Sequence, residues 1–193
     1  MIPVHKIMLL LSLIAVSCTP RKDLSYEEAR KRNIAEFEEQ LTAREALGVL
    51  QATDYNLLQR SLTATATADG YSYQLVQAAE ELNGLHQEYT EELNSFARKH
   101  QVVLPDRMSL DHQQMVSRLD GLQQLAFDET FMDLMQEALA KDIENNLDLI
   151  KQTTNQKLEA LLNKKLELAQ NNLKRVKALR NEIVNINTPE PAQ

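Results

Sequence analysis

Between Leu158 and Ile186 the residues Leu158, Leu162, Lys165, Ala169, Asn172, Val176, Leu179, Ile183 and Ile186 recur at alternating steps of four and three. That spacing holds one row of side chains on one face of a helix for four heptads. A second row has nearly the same rhythm: Leu75, Ala79, Leu82, His86, Tyr89, Leu93 and Ala97. It predicts a helix from about Tyr71 to His100, closed by Leu104-Pro105, because the residue before a proline avoids the helical region. With only 4 Gly and 5 Pro in 193 residues, the chain lacks the turn formers of an all-β fold.

Two further long helices complete the set. Thr42-Ala43-Arg44-Glu45 is a capping-box pattern that opens a helix to about Ala68. Leu47, Leu50, Leu57, Leu58 and Leu62 form its apolar face, and Asp69-Gly70 stops it, with Gly70 free to turn left-handed. Phe127-Asp128 opens the third long helix, with Asp128 as N-cap and Phe131, Met135, Ala138, Leu139, Ile143, Leu147 and Ile150 as its face. Thr153-Thr154-Asn155 break it, and the Leu158 row follows as the fourth, from about Asn155 to Ile186. A short helix from Ser109 to about Leu119 fits in the longer connection. The reading is an all-α four-helix bundle with a short extra helix between the second and third long helices. The alternative is an extended coiled coil, with the last helix as the seam of a homo-oligomer.

The N-terminus reads as an address. MIPVHK is followed by the apolar run Ile7 to Val16, which as a helix spans only about half of a bilayer core. A cleaved signal fits better than a transmembrane helix. Ala15-Val16-Ser17-Cys18 resembles a bacterial lipobox, with Ala15 where Leu is usual. That resemblance implies a thioether-linked diacylglyceryl group and an N-acyl chain such as palmitate on Cys18, enough chains for a stable anchor. The competing reading is a plain thiol beside an ordinary cleavage site. Thr19 is not the Asp of an inner-membrane retention signal, so an outer-membrane location facing the periplasm is expected. The expected organisation is 1–17 signal peptide, 18–41 lipidated tether or short helix, 42–186 bundle and 187–193 disordered tail. The tether carries Tyr26, Ile34, Phe37 and Leu41 on a thin face. It is basic at Arg21, Lys22, Arg30, Lys31 and Arg32, which suits a solvated face or anionic headgroups.

The chemistry-bearing patterns are few. A net charge of -7 argues against a nucleic-acid partner. One cysteine excludes an internal disulfide framework. No phosphate loop, His-Glu-x-x-His or Cys-x-x-Cys occurs. The residues three before His86, His100 and His112 are Asn83, Ala97 and Ser109, so the Glu-x-x-His pairs of di-iron bundles are missing. No cofactor or metal and no enzymatic activity is expected. His86 and Asn172 are polar residues on apolar rows. A buried imidazole needs a partner, and a buried Asn can fix register. His100 and His112 read as solvent-facing.

HQEYTEELNSFARKHQVVLP, His86 to Pro105, and FDETFMDLM, Phe127 to Met135, together with Leu173 in the last helix, resemble a bacterial family. It is the domain of unknown function numbered 4142, labelled a predicted outer-membrane protein with a ferritin-like fold. The resemblance covers about residues 43–180 and implies a ferritin-like bundle in the envelope. The family's second and third histidines fall on Leu139 and Asn172, and its last Leu-Pro proline on Glu167. Only His86 carries over, which implies that any shared histidine site is lost. If the bundle is like the family's, His86 and Asn172 should meet in the core as a polar pair or ligand contact. The expected function is a lipid-anchored, non-enzymatic binding or structural envelope protein, its partner an envelope protein or small ligand. The alternative is a ferritin-like metal or redox protein.

Overall fold

The computed structural model describes residues 23–36 and 42–187. The signal segment, Cys18, Arg21, Lys22, Phe37, Leu41 and the tail beyond Asn187 lie outside the described residues. Six helices follow in order: α1 (Tyr26–Glu36), α2 (Ala43–Asp69), α3 (Tyr73–His100), α4 (Leu110–Ser117), α5 (Gln124–Gln152) and α6 (Gln156–Asn187). There is no strand among the described residues. The chain is an all-α bundle, as the two rows require. Every described member of both is buried, from Leu75 to Ala97 on α3 and from Leu158 to Ile183 on α6.

α2 and α3 form one hairpin and α5 and α6 the other, with α2 against α5 and α3 against α6. A carboxylate ties each end of the bundle. At one end Thr42 and Glu45 make the expected capping box: the Thr42 hydroxyl accepts from the Glu45 amide at 3.2 Å, and Glu45 Oε2 accepts from the Thr42 amide at 2.8 Å. The other oxygen, Oε1, reaches the turn between α5 and α6, accepting from the Thr153 hydroxyl at 2.6 Å and the Thr154 amide at 3.1 Å. At the opposite end Asp128 accepts from the Tyr71 and Ser72 amides, both at 2.9 Å. Residues 101–123 therefore travel the length of the bundle between α3 and α5, laying α4 against α2.

Several expectations are corrected. Asp128 does not cap its own helix: α5 begins earlier, at Gln124, and the fully buried Asp128 serves the orphan amides of the α2–α3 turn instead. Gly70 is extended, at φ −60° and ψ 137°, rather than left-handed. A glycine is needed there because a Cβ would stand 2.4 Å from the Ala66 carbonyl oxygen. α3 ends at His100 as expected, and the residue that closes it is Gln101, left-handed at φ 57°, four residues before Pro105. α2 is packed on several sides, so its buried set extends well beyond the leucine row, while Leu47 and Leu57 stay half-exposed. On α5 the buried line runs Phe131, Met135, Ala138, Asp142, Asn146; Ile143 and Ile150 are half-buried and Leu147 exposed. The face of α1 is Ala29 and Asn33, with Ile34 in solvent. The Asn33 amide donates to the Val103 carbonyl and accepts from its N–H, each at 2.8 Å, fastening α1 to the crossover.

Glu45 carries a measurable share of the fold. Burial pushes its carboxyl up, but bonds from Thr153, Thr42 and Thr154 outweigh this and bring it down to about 2. A carboxyl lowered by folding stabilises above its unfolded value and loses that contribution as pH falls toward the folded one. Glu45→Gln should therefore cost about 2 kcal/mol at pH 7. In urea titrations the gap between wild type and variant should shrink between about pH 4.5 and 2. A pH-independent gap would contradict the clasp.

Candidate functional site

Where four apolar rows converge, the interior should be dry and hydrocarbon. Its centre is polar instead. Lys165 from α6 and Asp142 from α5 are both fully buried, with Lys165 Nζ 3.0 Å from Asp142 Oδ2. Gln59 of α2 bridges them: its Nε2 donates to Asp142 Oδ2 at 2.9 Å, and its Oε1 accepts from Lys165 at 3.1 Å. Asn146, one turn along α5, donates to Asp142 Oδ1 at 2.8 Å. The Lys165 cation also lies 5.0 Å from the centre of the Tyr89 ring, within cation–π range. Each partner satisfies another, the condition for tolerating charge in a low-dielectric core.

A second polar group lies between α2, α3 and α6. His86 and Asn172, the two residues singled out from the rows, are both buried, with His86 Nε2 3.4 Å from Asn172 Nδ2. At that length the contact is weak. With Asn172 donating, Nε2 accepts and the imidazole proton sits on Nδ1. Burial, reinforced by the positive charges of Lys165 and Arg60, holds the His86 imidazole well below its ordinary pKa, so the ring stays neutral. The Asn56 amide donates to Thr90 Oγ1 at 2.7 Å and to the His86 carbonyl at 3.2 Å, joining α2 to α3 beside it. His86 Nδ1, Asn172 Oδ1 and the Tyr89 hydroxyl are buried without a hydrogen-bond partner among the described residues.

His112 departs from its solvent-facing reading. Its Nδ1 lies 3.0 Å from Oδ2 of the buried Asp54, and its ring meets Tyr55 edge-on at 4.7 Å. His100 is half-buried, with its ring centre 4.3 Å from that of Phe96. No group of three or more His, Cys, Asp or Glu side chains suited to a metal occurs among the described residues. The polar centre offers fixed charge and internal hydrogen bonds. Cys18 lies outside the described residues.

Sequence reasoning missed Asp142, Asn146 and Gln59, and it took Lys165 as one more member of a row. The signal was present. Continuing Phe131, Met135 and Ala138 at steps of four lands on Asp142 and Asn146, and a lysine on the opposing row supplies the countercharge. Choosing apolar residues over strict period moved the face to Ile143 and Leu147.

The family model described as Domain of unknown function (DUF4142) matches residues 31–179. Among solved structures, the chain is similar to a hypothetical protein from Methanococcus jannaschii DSM 2661, with a TM-score of 0.64 and 13% identity over 76% of this chain and 86% of that one. At that identity the likeness is one of fold. No curated protein matches the chain.

Two measurements probe this centre. Lys165→Met strands Asp142 and should cost about 3–5 kcal/mol in chemical denaturation, whereas the double variant with Asp142→Leu should regain most of the loss. A single variant of wild-type stability would contradict the ion pair. A histidine lowered by folding destabilises as pH falls below its unfolded value, because the unfolded chain takes up a proton that the folded chain refuses. Between about pH 6.5 and 5 stability should fall by up to about 1.4 kcal/mol per pH unit from His86, with a further share from His100, whose pKa burial also lowers. His86→Gln should remove its part of that slope, and an unchanged slope would refute the neutral buried ring.

Proposed function

The chain belongs to the DUF4142 family, and we propose that it is a lipid-anchored, periplasm-facing outer-membrane protein whose bundle has a binding or structural role rather than a catalytic one. The observation that carries the non-catalytic part is the Lys165–Asp142 pair. Di-metal carboxylate bundles keep their ions between the helices, held by carboxylates and histidines. Here that space holds an ammonium whose charge opposes a second cation, and the carboxylate paired with it is engaged by Lys165, Gln59 and Asn146. The position of His86 supports the same reading: its partner is a neutral amide and its neighbours are cationic.

The anchoring part rests on the lipobox-like segment ending at Cys18. Four residues separate Cys18 from Asp23, five steps with a reach of at most about 18 Å, so a lipidated Cys18 holds the bundle close to the membrane. Arg30, Lys31 and Arg32 are exposed on α1, the first helix after the anchor, where they suit anionic headgroups. No described helix is long and apolar enough to cross a membrane.

Cys18→Ala should leave the protein unprocessed or release it from the membrane fraction, and mass spectrometry of the wild-type N-terminus should find acylated Cys18. A mature chain that begins elsewhere without lipid would overturn the anchor. A stoichiometric transition metal in the purified protein would overturn the non-catalytic role in favour of a ferritin-like metal or redox protein.

A further inference from the structure

A cavity of about 510 Å³ opens between α2, α3 and the crossover. Its volume lies within the roughly 300–1,000 Å³ typical of small-molecule sites. Leu57, Ala64 and Met108 give it apolar walls, and Arg60 and Arg107 give it two cations. Arg60 is half-buried, with Nη1 3.4 Å from Thr90 Oγ1 and a buried Nε that has no hydrogen-bond partner. Arg107 donates to the Asp23 carbonyl oxygen at 3.2 Å, a neutral acceptor. Neither arginine has an ion-pair partner among the described residues. Asp106 also lines the cavity, with one carboxylate oxygen accepting from the Leu24 amide at 2.9 Å, so two cations face one anion and the lining keeps a net positive charge.

A partly buried cation without a countercharge is costly, and an apolar wall beside it favours a ligand with both features. We propose that this cavity binds a free single-chain anionic amphiphile, with its carboxylate head on Arg60 and Arg107 and its alkyl chain against Leu57, Ala64 and Met108. The volume holds one short alkyl chain. Charge complementarity selects the head, because only an anion answers both guanidinium groups. The site is independent of the anchor at Cys18, so either proposal can fail alone.

The test is calorimetric titration of the purified protein with decanoate, and with decanol as its uncharged match. Decanoate should bind one per chain, at least about tenfold more tightly than decanol. Arg60→Gln touches the Thr90 contact and could disturb folding, so two rim variants carry the test. Arg107→Gln should weaken decanoate at least about tenfold, and Ala64→Trp should block it by filling the cavity, both at unchanged melting temperature. Equal affinity for decanol, or decanoate binding untouched by both variants, would overturn the proposal. Displacement of bound decanoate by phosphatidylglycerol vesicles would assign the head site to a membrane lipid and overturn the free ligand.

Discussion

The bundle is organised around a charge that it could not otherwise tolerate. Lys165 and Asp142 are fully buried in the middle of the core, and the surrounding polar side chains can be read as the means of keeping them there. Gln59 supplies a donor to the carboxylate and an acceptor to the ammonium, Asn146 fills the second carboxylate oxygen, and the Tyr89 ring lies beside the cation. Removing a buried ion pair in favour of well-packed apolar residues is often neutral or stabilising. A helix rotated or shifted by one turn would leave a bare charge in hydrocarbon, so the pair penalises other registers among four helices with similar leucine rows.

The same constraint explains how the core divides. One apolar cluster holds Leu58, Leu62, Leu75, Phe127, Phe131 and Met135 toward the α2–α3 turn, and another holds Val49, Tyr89, Leu93, Leu158 and Leu162 toward the α5–α6 turn. The polar centre lies where they meet. Surface ion pairs between α6 and its neighbours, Lys164 with Glu92, Arg175 with Glu81 and Arg180 with Asp133, trace the same register outside. Being exposed, they contribute little to stability.

The helices and their buried rows were legible because a helix repeats its face every three or four residues regardless of its neighbours. α3 and α6 each lean on two partners and keep one narrow stripe, so every described member of their rows is buried. α2 is packed by α1, α3, α4 and α5, and no single stripe describes it. Asp128 looked like an N-cap because its sequence position suits that role, but which amides it serves depends on a turn more than fifty residues away. Asp142 and Gln59 were hidden for a related reason. A polar residue on a buried line is recognisable only when its partner is known, and these partners come from other helices. The lone histidine on the α3 row could be singled out because it interrupted an otherwise apolar run, and Asn172 stood out among Ala169, Val176 and Leu179, while Lys165 on the same row was passed over.

The ion pair belongs entirely to the α5–α6 hairpin, since Asp142 and Lys165 lie on its two arms. The α2–α3 hairpin brings a neutral amide, an aromatic ring and an imidazole that stays uncharged. The central ion pair is thus balanced within one hairpin, whereas the carboxylates at the ends of the bundle, Asp128 and Glu45, reach part of their hydrogen-bond donors only when the two hairpins meet. The sequence-distant step, the meeting of two hairpins across a long crossover, then joins surfaces without net charge at their centre. A chain emerging from synthesis can finish its first hairpin, α2–α3, before either half of the central ion pair exists.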